Sequence, residues 1–330
     1  MITRRRLLVG AGVAGAGVGL ALGGRVAWQR AEGFARARAF VARARYDAEL
    51  ASVVRRGLVE LGLPADWARD KTVLLKPNLV EPTADQPHIN THPALVHAVA
   101  EVLRGQGARE VLVAEGQGHI RDSQLVLEQS GLAPVVKDAG LRFVDLNHDE
   151  LVRVRNPSRL TRAPELVLPA TLRRADLIVS MPKMKTHHWA GMTLSMKNLF
   201  GVMPGVFYGW PKNVLHQAGI VESIVDITAC VAPHLAIVDG IVGMEGDGPI
   251  MGTPKESNLI VMGTNLPAVD ATAARLMGFE PRDIPYLRLA SGRLGPINED
   301  HIEQRGERLD GLRQRYALID DPRVDPFRGR

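Results

Sequence analysis

The sequence has little cysteine and lacks several widespread catalytic motifs. Cys230 is the only cysteine among 330 residues, which excludes an internal disulfide, a cysteine-rich zinc site and an iron–sulfur cluster held by cysteines. Cys230 lies in an apolar helical pattern, and we predict a small core residue there. The sequence contains no nucleophile elbow, no H-E-x-x-H helix and no phosphate-binding P-loop.

The positive net charge is concentrated at the start of the chain. The net charge is +5 over 330 residues, yet residues 1–45 alone contain nine arginines and one glutamate. The rest of the chain is therefore mildly acidic. It lacks the extended basic surface that nucleic-acid binding requires, and we expect no nucleic-acid partner.

The first 24 residues are typical of a targeting segment. Arg4 and Arg5 precede one spacer residue and a weakly hydrophobic run rich in glycine and alanine, as in twin-arginine signals. We expect the twin-arginine translocase as a partner and a periplasmic or other extracytoplasmic location. No clear cleavage site follows, so the segment is expected to remain as a membrane anchor if it is uncleaved. An ordinary membrane helix is the alternative.

Beyond this segment, buried-strand patterns alternate with helical patterns, which predicts an α/β fold. We expect a mostly parallel sheet with flanking helices and an active-site cleft at the strand ends. The predicted organisation has four parts: a signal or anchor helix at 1–30, a helical lead-in at 31–69, an α/β core domain at 70–290, and a cover with a poorly ordered tail at 291–330. Within these parts we predict one helix over 214–231, an edge hairpin within 148–174, and Thr91 as a helix N-cap.

Lysine is scarce and unevenly placed. The chain has 8 lysines against 33 arginines, and four of the eight lie between Lys183 and Lys212. A buried strand, 177–179, leads into this region, and Pro182 is predicted to end it. A solvated basic loop would explain the charge, whereas a titratable amine at a ligand site would explain the choice of lysine.

Other predicted strands also end in polar residues, and such ends meet at one edge of a parallel sheet. Capped strand ends and glycine-rich turns would give the same patterns. The substrate-binding candidates at these ends are Lys76, Asn78, Glu115, His119, Lys183, Lys185, His188 and Asn198. The candidates for a divalent metal, grouped in an acidic loop, are Asp239, Glu245 and Asp247.

Four segments carry a resemblance to a known family. The segments VLLKPNLV at 73–80, ADLIVSMPKMKTH at 175–187, MKNLFGVMPG at 196–205 and VDGIVGMEGDGP at 238–249 occur in order. Together they resemble domain-of-unknown-function family 362 over roughly 70–280. The resemblance implies no activity. Many members of the family carry ferredoxin-like clusters, which this chain cannot hold with one cysteine.

A second, local resemblance concerns His187, Ala190, Gly191 and Lys197. Their spacing is similar to the active-site segment of the nickel-pincer lactate racemase family, although Ser195 and Met196 replace two glycines of that family. The resemblance implies His187 as a proton-transfer residue and Lys197 as a cofactor- or substrate-binding lysine. We therefore take these two as the catalytic candidates.

Three hypotheses about function remain open. The first is an enzyme that binds an anionic small molecule at a cleft rich in lysine and histidine and transfers a proton, as isomerases do. The second is a cofactor-binding protein without turnover. The third is a metal handler, because five methionines are interleaved with His187 and His188, and thioether and imidazole ligands suit copper. Packing methionines would give the same pattern. The methionines are Met181, Met184, Met192, Met196 and Met203.

Overall fold

The computed structural model describes residues 36–118 and 122–327, which form a sheet flanked by helices on both faces. Arg4 and Arg5 lie outside the described residues. Within them, no helix is both long enough and apolar enough to cross a membrane. The strands are β1 (Ala37–Arg43), β2 (Thr72–Pro77), β3 (Glu110–Glu115), β4 (Arg142–Asp145), β5 (Leu151–Arg155), β6 (Glu165–Pro169), β7 (Leu177–Met181), β8 (Lys183–His187), β9 (Gly191–Thr193), β10 (Leu235–Glu245), β11 (Thr253–Gly263) and β12 (Ile302–Gly306).

Helices connect most of these strands, and several are a single turn. The α-helices are α1 (Leu50–Glu60), α2 (Pro93–Gly105), α3 (Ser123–Gln129), α4 (Leu132–Asp138), α5 (Ala170–Arg174), α6 (Ser195–Asn198), α7 (Gly205–Tyr208), α8 (Asn213–Gln217), α9 (Ile220–Val231), α10 (Leu266–Met277) and α11 (Pro285–Ala290). Short 3₁₀ helices lie at Leu199–Val202, Pro281–Asp283, Glu299–His301, Leu309–Gly311 and Pro322–Phe327.

The main sheet has the strand order β12-β1-β11-β10-β7-β2-β3-β4. The five strands from β10 to β4 are mutually parallel, and β11 is antiparallel to both of its neighbours. The predicted mostly parallel α/β sheet is therefore confirmed. Because five parallel strands end at the same edge, the loops that follow them meet there.

Alternate side chains of each central strand enter different hydrophobic cores. In β2, Leu74 packs into the core that contains α9 and α10, whereas Val73 and Leu75 pack into the core that contains α1 and α2. Neighbouring strands repeat this alternation. Both faces of the sheet are covered, which explains why the strands have continuous apolar runs.

The main sheet extends beyond the predicted core domain, 70–290, at both ends. The helical lead-in at 31–69 contains α1 as expected, but Ala37–Arg43 is a strand that pairs with β11 and β12. The predicted cover at 291–330 supplies β12, an edge strand of the main sheet. Residues from Ala37 onward form one compact unit. The β-branched and aromatic residues of β1 find their partners far along the chain, where local pattern cannot show them.

Two local predictions are corrected and two are confirmed. Pro182 ends β7 as predicted, and a new strand, β8, follows it at once and pairs with β10 and β9. The helix predicted over 214–231 is two helices, because Gly219 adopts a positive φ of 108° between them. His92, rather than Thr91, caps α2 through its Nδ1 atom. The hydroxyl of Thr91 instead donates to the carbonyl of Met181. The hairpin within 148–174 is confirmed as β5 and β6.

The end of the chain packs into the core, although we predicted a poorly ordered tail. Val324 is fully buried and Phe327 is 4% exposed. Phe327 packs beside Gly191, close to the region of the candidate site. The final segment therefore belongs to the folded unit as far as residue 327.

Replacing Phe327 with alanine should lower the free energy of unfolding by about 3 kcal/mol, because it leaves a cavity where an aromatic ring is buried. Urea denaturation measures the change. The control is Val59→Ala, since Val59 is 72% exposed and its truncation should change stability by less than about 0.5 kcal/mol. Equal effects of the two substitutions would contradict the assignment of the C-terminal segment to the core.

Candidate functional site

A cavity of about 340 Å³ opens at the edge where the parallel strands end. Its walls come from the residues that follow β2 and β3, from the end of β8, from the segment 193–201, from α8 and from the loop 247–251. These segments are far apart in the sequence. The prediction that the polar residues at the strand ends share one edge of the sheet is therefore correct for most of these residues.

A buried ion pair forms the floor of the cavity. Lys76 Nζ lies 2.7 Å from Glu115 Oε2 and donates to Asn198 Oδ1 at 2.8 Å. Asn198 returns a hydrogen bond from Nδ2 to the backbone carbonyl of Lys76 at 3.1 Å. Glu115 also accepts from the backbone N–H groups of Leu79 and Gly116. Because every member has partners, the pair tolerates burial and joins β2, β3 and α6.

Gly201 allows the backbone to approach this ion pair. A Cβ atom on Gly201 would lie 2.1 Å from Glu115 Oε1 and 2.6 Å from Lys76 Nζ. The carbonyl of Gly201 accepts a 2.8 Å hydrogen bond from Gly116 N–H. Any side chain at this position would displace the ion pair. Glycine is therefore required here because it has no side chain, and not because of its backbone freedom.

Asp270 holds the single-turn helix α6 from outside. Its carboxylate accepts from the backbone N–H groups of Ser195 at 2.7 Å and Met196 at 3.1 Å, and from the Ser195 hydroxyl at 2.5 Å. Burial raises the pKa of Asp270 to about 6. Asp270 therefore fixes the orientation of α6, which carries Lys197 and Asn198.

Lys197 presents a cation to the cavity without a carboxylate partner. Its Nζ atom lies 4.4 Å from the centroid of the Phe200 ring, and it donates no hydrogen bond to a side chain or carbonyl among the described residues. Burial, together with the charge of Lys76, lowers the pKa of Lys197 to about 8. Lysines with lowered pKa values are the ones that act as acids, bases or nucleophiles.

The backbone fixes the tautomer of His187. Its Nδ1 atom accepts hydrogen bonds from the N–H groups of Trp189 at 3.0 Å and Ala190 at 3.2 Å. Burial and the charge of Lys197 lower the pKa of His187 well below its usual range. The ring is therefore neutral at neutral pH and carries its proton on Nε2. The Nε2–H group makes the side chain a hydrogen-bond donor.

Three buried polar side chains that line the cavity have atoms without hydrogen-bond partners in the described structure. These atoms are Asn78 Oδ1, Gln117 Oε1 and Thr193 Oγ1. The amide orientation of Gln117 is set by Ser123, whose hydroxyl donates to Asp145 and accepts from Gln117 Nε2. Gln117 therefore presents an acceptor. Buried polar atoms without partners are costly, and a bound ligand with donor groups would satisfy them.

A second buried ion pair lies outside the cavity wall. Lys183 Nζ is 2.7 Å from Asp239 Oδ2, and Tyr46 contacts both side chains. Asp239 also accepts from the His92 N–H at 2.9 Å. Lys183 and Asp239 thus have a complete set of partners and connect β8 to β10. We assign them a structural role instead of the predicted substrate-binding and metal-binding roles.

Lys185 is fully buried near this pair and donates to the carbonyl of Pro249 at 3.1 Å. Its pKa lies well below the usual range because of burial, and because Lys183, Lys197 and Lys76 carry like charges. Lys212, from the loop before α8, lines the cavity and donates to Asn147 Oδ1. Burial lowers the pKa of Lys212 to about 8.

The acidic loop does not form a metal site in the described residues. Asp239 and Glu245 are six residues apart on β10, about 20 Å along an extended strand, and Glu245 pairs with Lys255 at 3.2 Å. Asp247 contacts His188 Nδ1 at 3.3 Å. Among residues 36–118 and 122–327, no group of three or more His, Cys, Asp or Glu side chains is arranged to hold a metal ion.

The five methionines near the histidines are packing residues. All five have no exposed surface, and Met181 packs on the opposite face of the sheet from the other four. This distribution is that of side chains filling two cores. The arrangement expected for a copper site, thioethers around His187 and His188, is not what the structure shows.

Most of the predicted site residues meet at the cavity. Those that line it are Lys76, Asn78, Glu115, His187, His188, Lys197, Asn198 and Asp247. Those that do not are Lys183, Lys185, Asp239 and Glu245. His119 lies outside the described residues. Sequence reasoning missed Gln117, Thr193 and Lys212 as site residues. The lysine enrichment between Lys183 and Lys212 was the available signal for Lys212.

Comparisons with known proteins identify the family. The family model for the domain of unknown function 362 matches residues 73–275. The chain belongs to this family. It is 30% identical to the thylakoid-associated protein sll1697 of Synechocystis sp., over 68% of each sequence. A solved structure, the lactate racemase apoprotein from Thermoanaerobacterium thermosaccharolyticum, aligns with a TM-score of 0.41 and 14% identity. That alignment covers 63% of this chain and 51% of the racemase, about half of its length.

In this member of family 362, the charge of Lys197 has a measurable energetic cost. Replacing Lys197 with methionine should raise the free energy of unfolding at pH 7 by roughly 1–3 kcal/mol, because an ammonium group without a carboxylate partner is removed from a partly buried position. Unfolded lysine stays protonated up to about pH 10.5 and folded Lys197 only up to about 8. Wild-type stability should therefore rise with pH between these values, and the advantage of the variant should shrink.

Urea denaturation at pH 7 and pH 10 measures both effects. The matched control is Lys137→Met, because Lys137 is exposed on α4 and its replacement should change stability by less than about 0.5 kcal/mol. If Lys197→Met is less stable than the wild-type protein, Lys197 stabilises the fold. That result would contradict the conclusion that its ammonium group has no compensating partner in the cavity.

Proposed function

We propose that this protein binds an anionic small molecule in the cavity at the strand ends. The observation that carries the proposal is the excess of cations in the cavity wall. Lys76, Lys197 and Lys212 line the cavity, and among the described residues only Glu115 opposes them from the floor. Asp247 is the other carboxylate that the described wall contains, and it lies toward solvent beside His188. An anion would compensate the charge that these described carboxylates leave.

The ligand also carries hydrogen-bond donors and a carbonyl or similar acceptor. Gln117 and Asn78 offer buried acceptor atoms that a hydroxyl or amine of the ligand would satisfy. His187 offers the Nε2–H group of a neutral imidazole, which can polarise a carbonyl oxygen. Together these groups suit a hydroxylated or aminated anion with a carbonyl group.

We further propose proton transfer, with Lys197 as the group that exchanges the proton. A pKa of about 8 leaves a small fraction of Lys197 as free amine at neutral pH, and general bases work best near the ambient pH. His187 would stabilise the charge that develops on the ligand oxygen when a neighbouring C–H proton leaves. The reaction class is isomerase-like, and no cofactor is needed for these steps.

Binding without turnover is the second candidate. The orphaned acceptors and the unpaired ammonium support ligand binding as such, whether or not a proton moves. A cofactor held for another protein would use the same contacts. The geometry gives no comparable support to copper handling, because the methionines fill the cores.

We also propose that the protein is exported, on the basis of its first 24 residues. Arg4, Arg5 and the glycine-rich run that follows them are the features of a twin-arginine signal. The relative from Synechocystis sp. is named for an association with thylakoids, which fits a protein that resides at or across a membrane. The twin-arginine route delivers folded proteins and would deliver this cavity already formed.

Ligand retention from a bacterial metabolite extract tests the proposal. After dialysis against the extract in D₂O, mass spectrometry of the wild-type protein should show a retained anion that has gained deuterium beside its carbonyl. Lys197→Arg should retain the anion but lose the exchange, because arginine keeps the charge and does not release a proton. Lys197→Met should lose both.

Lys255→Met is the control, since Lys255 pairs with Glu245 outside the cavity, and it should behave as wild type. Retention without exchange in the wild-type protein would favour binding without turnover. The same retention by Lys197→Met and wild type would contradict the assignment of Lys197.

Affinity for the retained anion should fall above pH 8. Lys197 and Lys212 have pKa values of about 8, so their ammonium groups are charged at pH 7 and largely neutral at pH 9. One required ammonium predicts about a tenfold higher Kd at pH 9 than at pH 7. In Lys197→Arg the decrease in affinity should be smaller, because the guanidinium stays charged. Isothermal calorimetry provides the values. Affinity that rises with pH would contradict the anion-binding proposal.

A further inference from the structure

The inner and outer parts of the cavity have different chemistry. At the floor, buried side chains are charged or polar: Glu115 is 1% exposed, Gln117 is 2% exposed and Thr193 is 4% exposed. This is the part of the cavity in which the proposed anionic ligand places its charge.

The outer part is apolar and open to solvent. Trp189 is 50% exposed and Met251 is 78% exposed, and both line the cavity. Val80 and Ile250 are half-buried beside them, and Pro211 is exposed. We call these five residues the apolar mouth. Trp189 and Met251 therefore expose apolar surface at the cavity entrance, and no residue of the described structure covers it.

The exposed apolar surface continues next to the mouth in the sequence. Val206 and Phe207 on α7 and Val214 on α8 are each about half exposed. The two helices directly precede and follow the loop that contributes Pro211 and Lys212 to the cavity. The segments on both sides of this cavity-lining loop therefore carry exposed apolar side chains.

We infer that the ligand is an amphiphile, with its anionic head at the lysine-rich floor and an apolar body that lies along the apolar mouth. This inference deepens the proposed function and rests on it. A three-carbon acid would reach the floor and leave the apolar mouth in water. An acyl, aryl or similar apolar body would cover Trp189, Ile250 and Met251, and its burial would contribute to affinity in proportion to the area removed from water.

The polar contacts restrict the head as well. The head must accept hydrogen bonds from ammonium groups and donate a hydrogen bond to Gln117 or Asn78. A plain hydrocarbon, or a detergent without a hydrogen-bond donor, therefore fits less well. An N-acylglycine combines a carboxylate, an N–H donor and an acyl chain of adjustable length. A series of these compounds is therefore a suitable probe.

The test is calorimetric titration of the full chain with N-acylglycines from acetyl to decanoyl. Kd should fall by roughly threefold to fourfold for each added methylene that the mouth covers, and then become constant. Trp189→Ser and Met251→Ser should each weaken decanoylglycine more than acetylglycine, so that the ratio of the two Kd values shrinks. Val59→Ser is the control, because Val59 is an exposed apolar residue on α1 that does not line the cavity, and it should leave that ratio unchanged.

The outcomes separate this inference from the proposed function. Equal Kd values across the series, all weakened by Lys197→Met, would overturn the amphiphile and leave anion binding in place. Failure of every N-acylglycine to bind, while an anion is still retained from the metabolite extract, would also overturn the amphiphile alone. No binding in the series and no retention from the extract would overturn both.

Discussion

The buried contact between Lys76 and Glu115 is the interaction on which the site depends. It joins the ends of two parallel strands, and Asn198 extends it to the helix that carries Lys197. Gly201 permits this contact because its backbone lies where a side chain would collide with both charges. A carboxylate that accepts one ammonium and two backbone N–H groups is well compensated, so the pair can be buried. The pair thus links the ends of β2 and β3, which already pair in the sheet, to α6.

That compensation is local, and it uses the one carboxylate that the described residues place on the cavity floor. Burial lowers the pKa values of the neighbouring Lys185, Lys197 and Lys212, and the like charges of nearby lysines lower them further. Asp239 compensates Lys183 in the same way, outside the cavity wall. Lysines with a carboxylate partner thus connect strands, whereas Lys197 and Lys212 line the cavity without such a partner among the described residues.

The sequence predicted the fold class and much of the site for physical reasons that are local. Buried parallel strands are continuous apolar runs, and the residues after them, such as Lys76 and Glu115, necessarily share an edge. The sequence could not show that Lys183 is paired and Lys197 is not. The carboxylate partner of Lys183 lies on β10, which is distant in the sequence. Strand β1 was missed for a similar reason, since its partners Leu259–Met262 lie more than two hundred residues away. The described residues of the acidic loop do not form the predicted metal site, because the extended strand β10 keeps Asp239 and Glu245 apart.

Pro182 connects these observations. It cannot donate the next ladder hydrogen bond, so β7 stops pairing with β2 there and the chain continues as β8, which pairs with β10 instead. The register Asp239↔Lys183 then places the paired lysine against its carboxylate. The cavity lies between the end of β8 and the residues that follow β2 and β3. His187 comes at the end of β8, where the backbone of Trp189 and Ala190 sets its tautomer. Pro182 thus lies between a strand of the central sheet and a strand whose last residue, His187, lines the cavity.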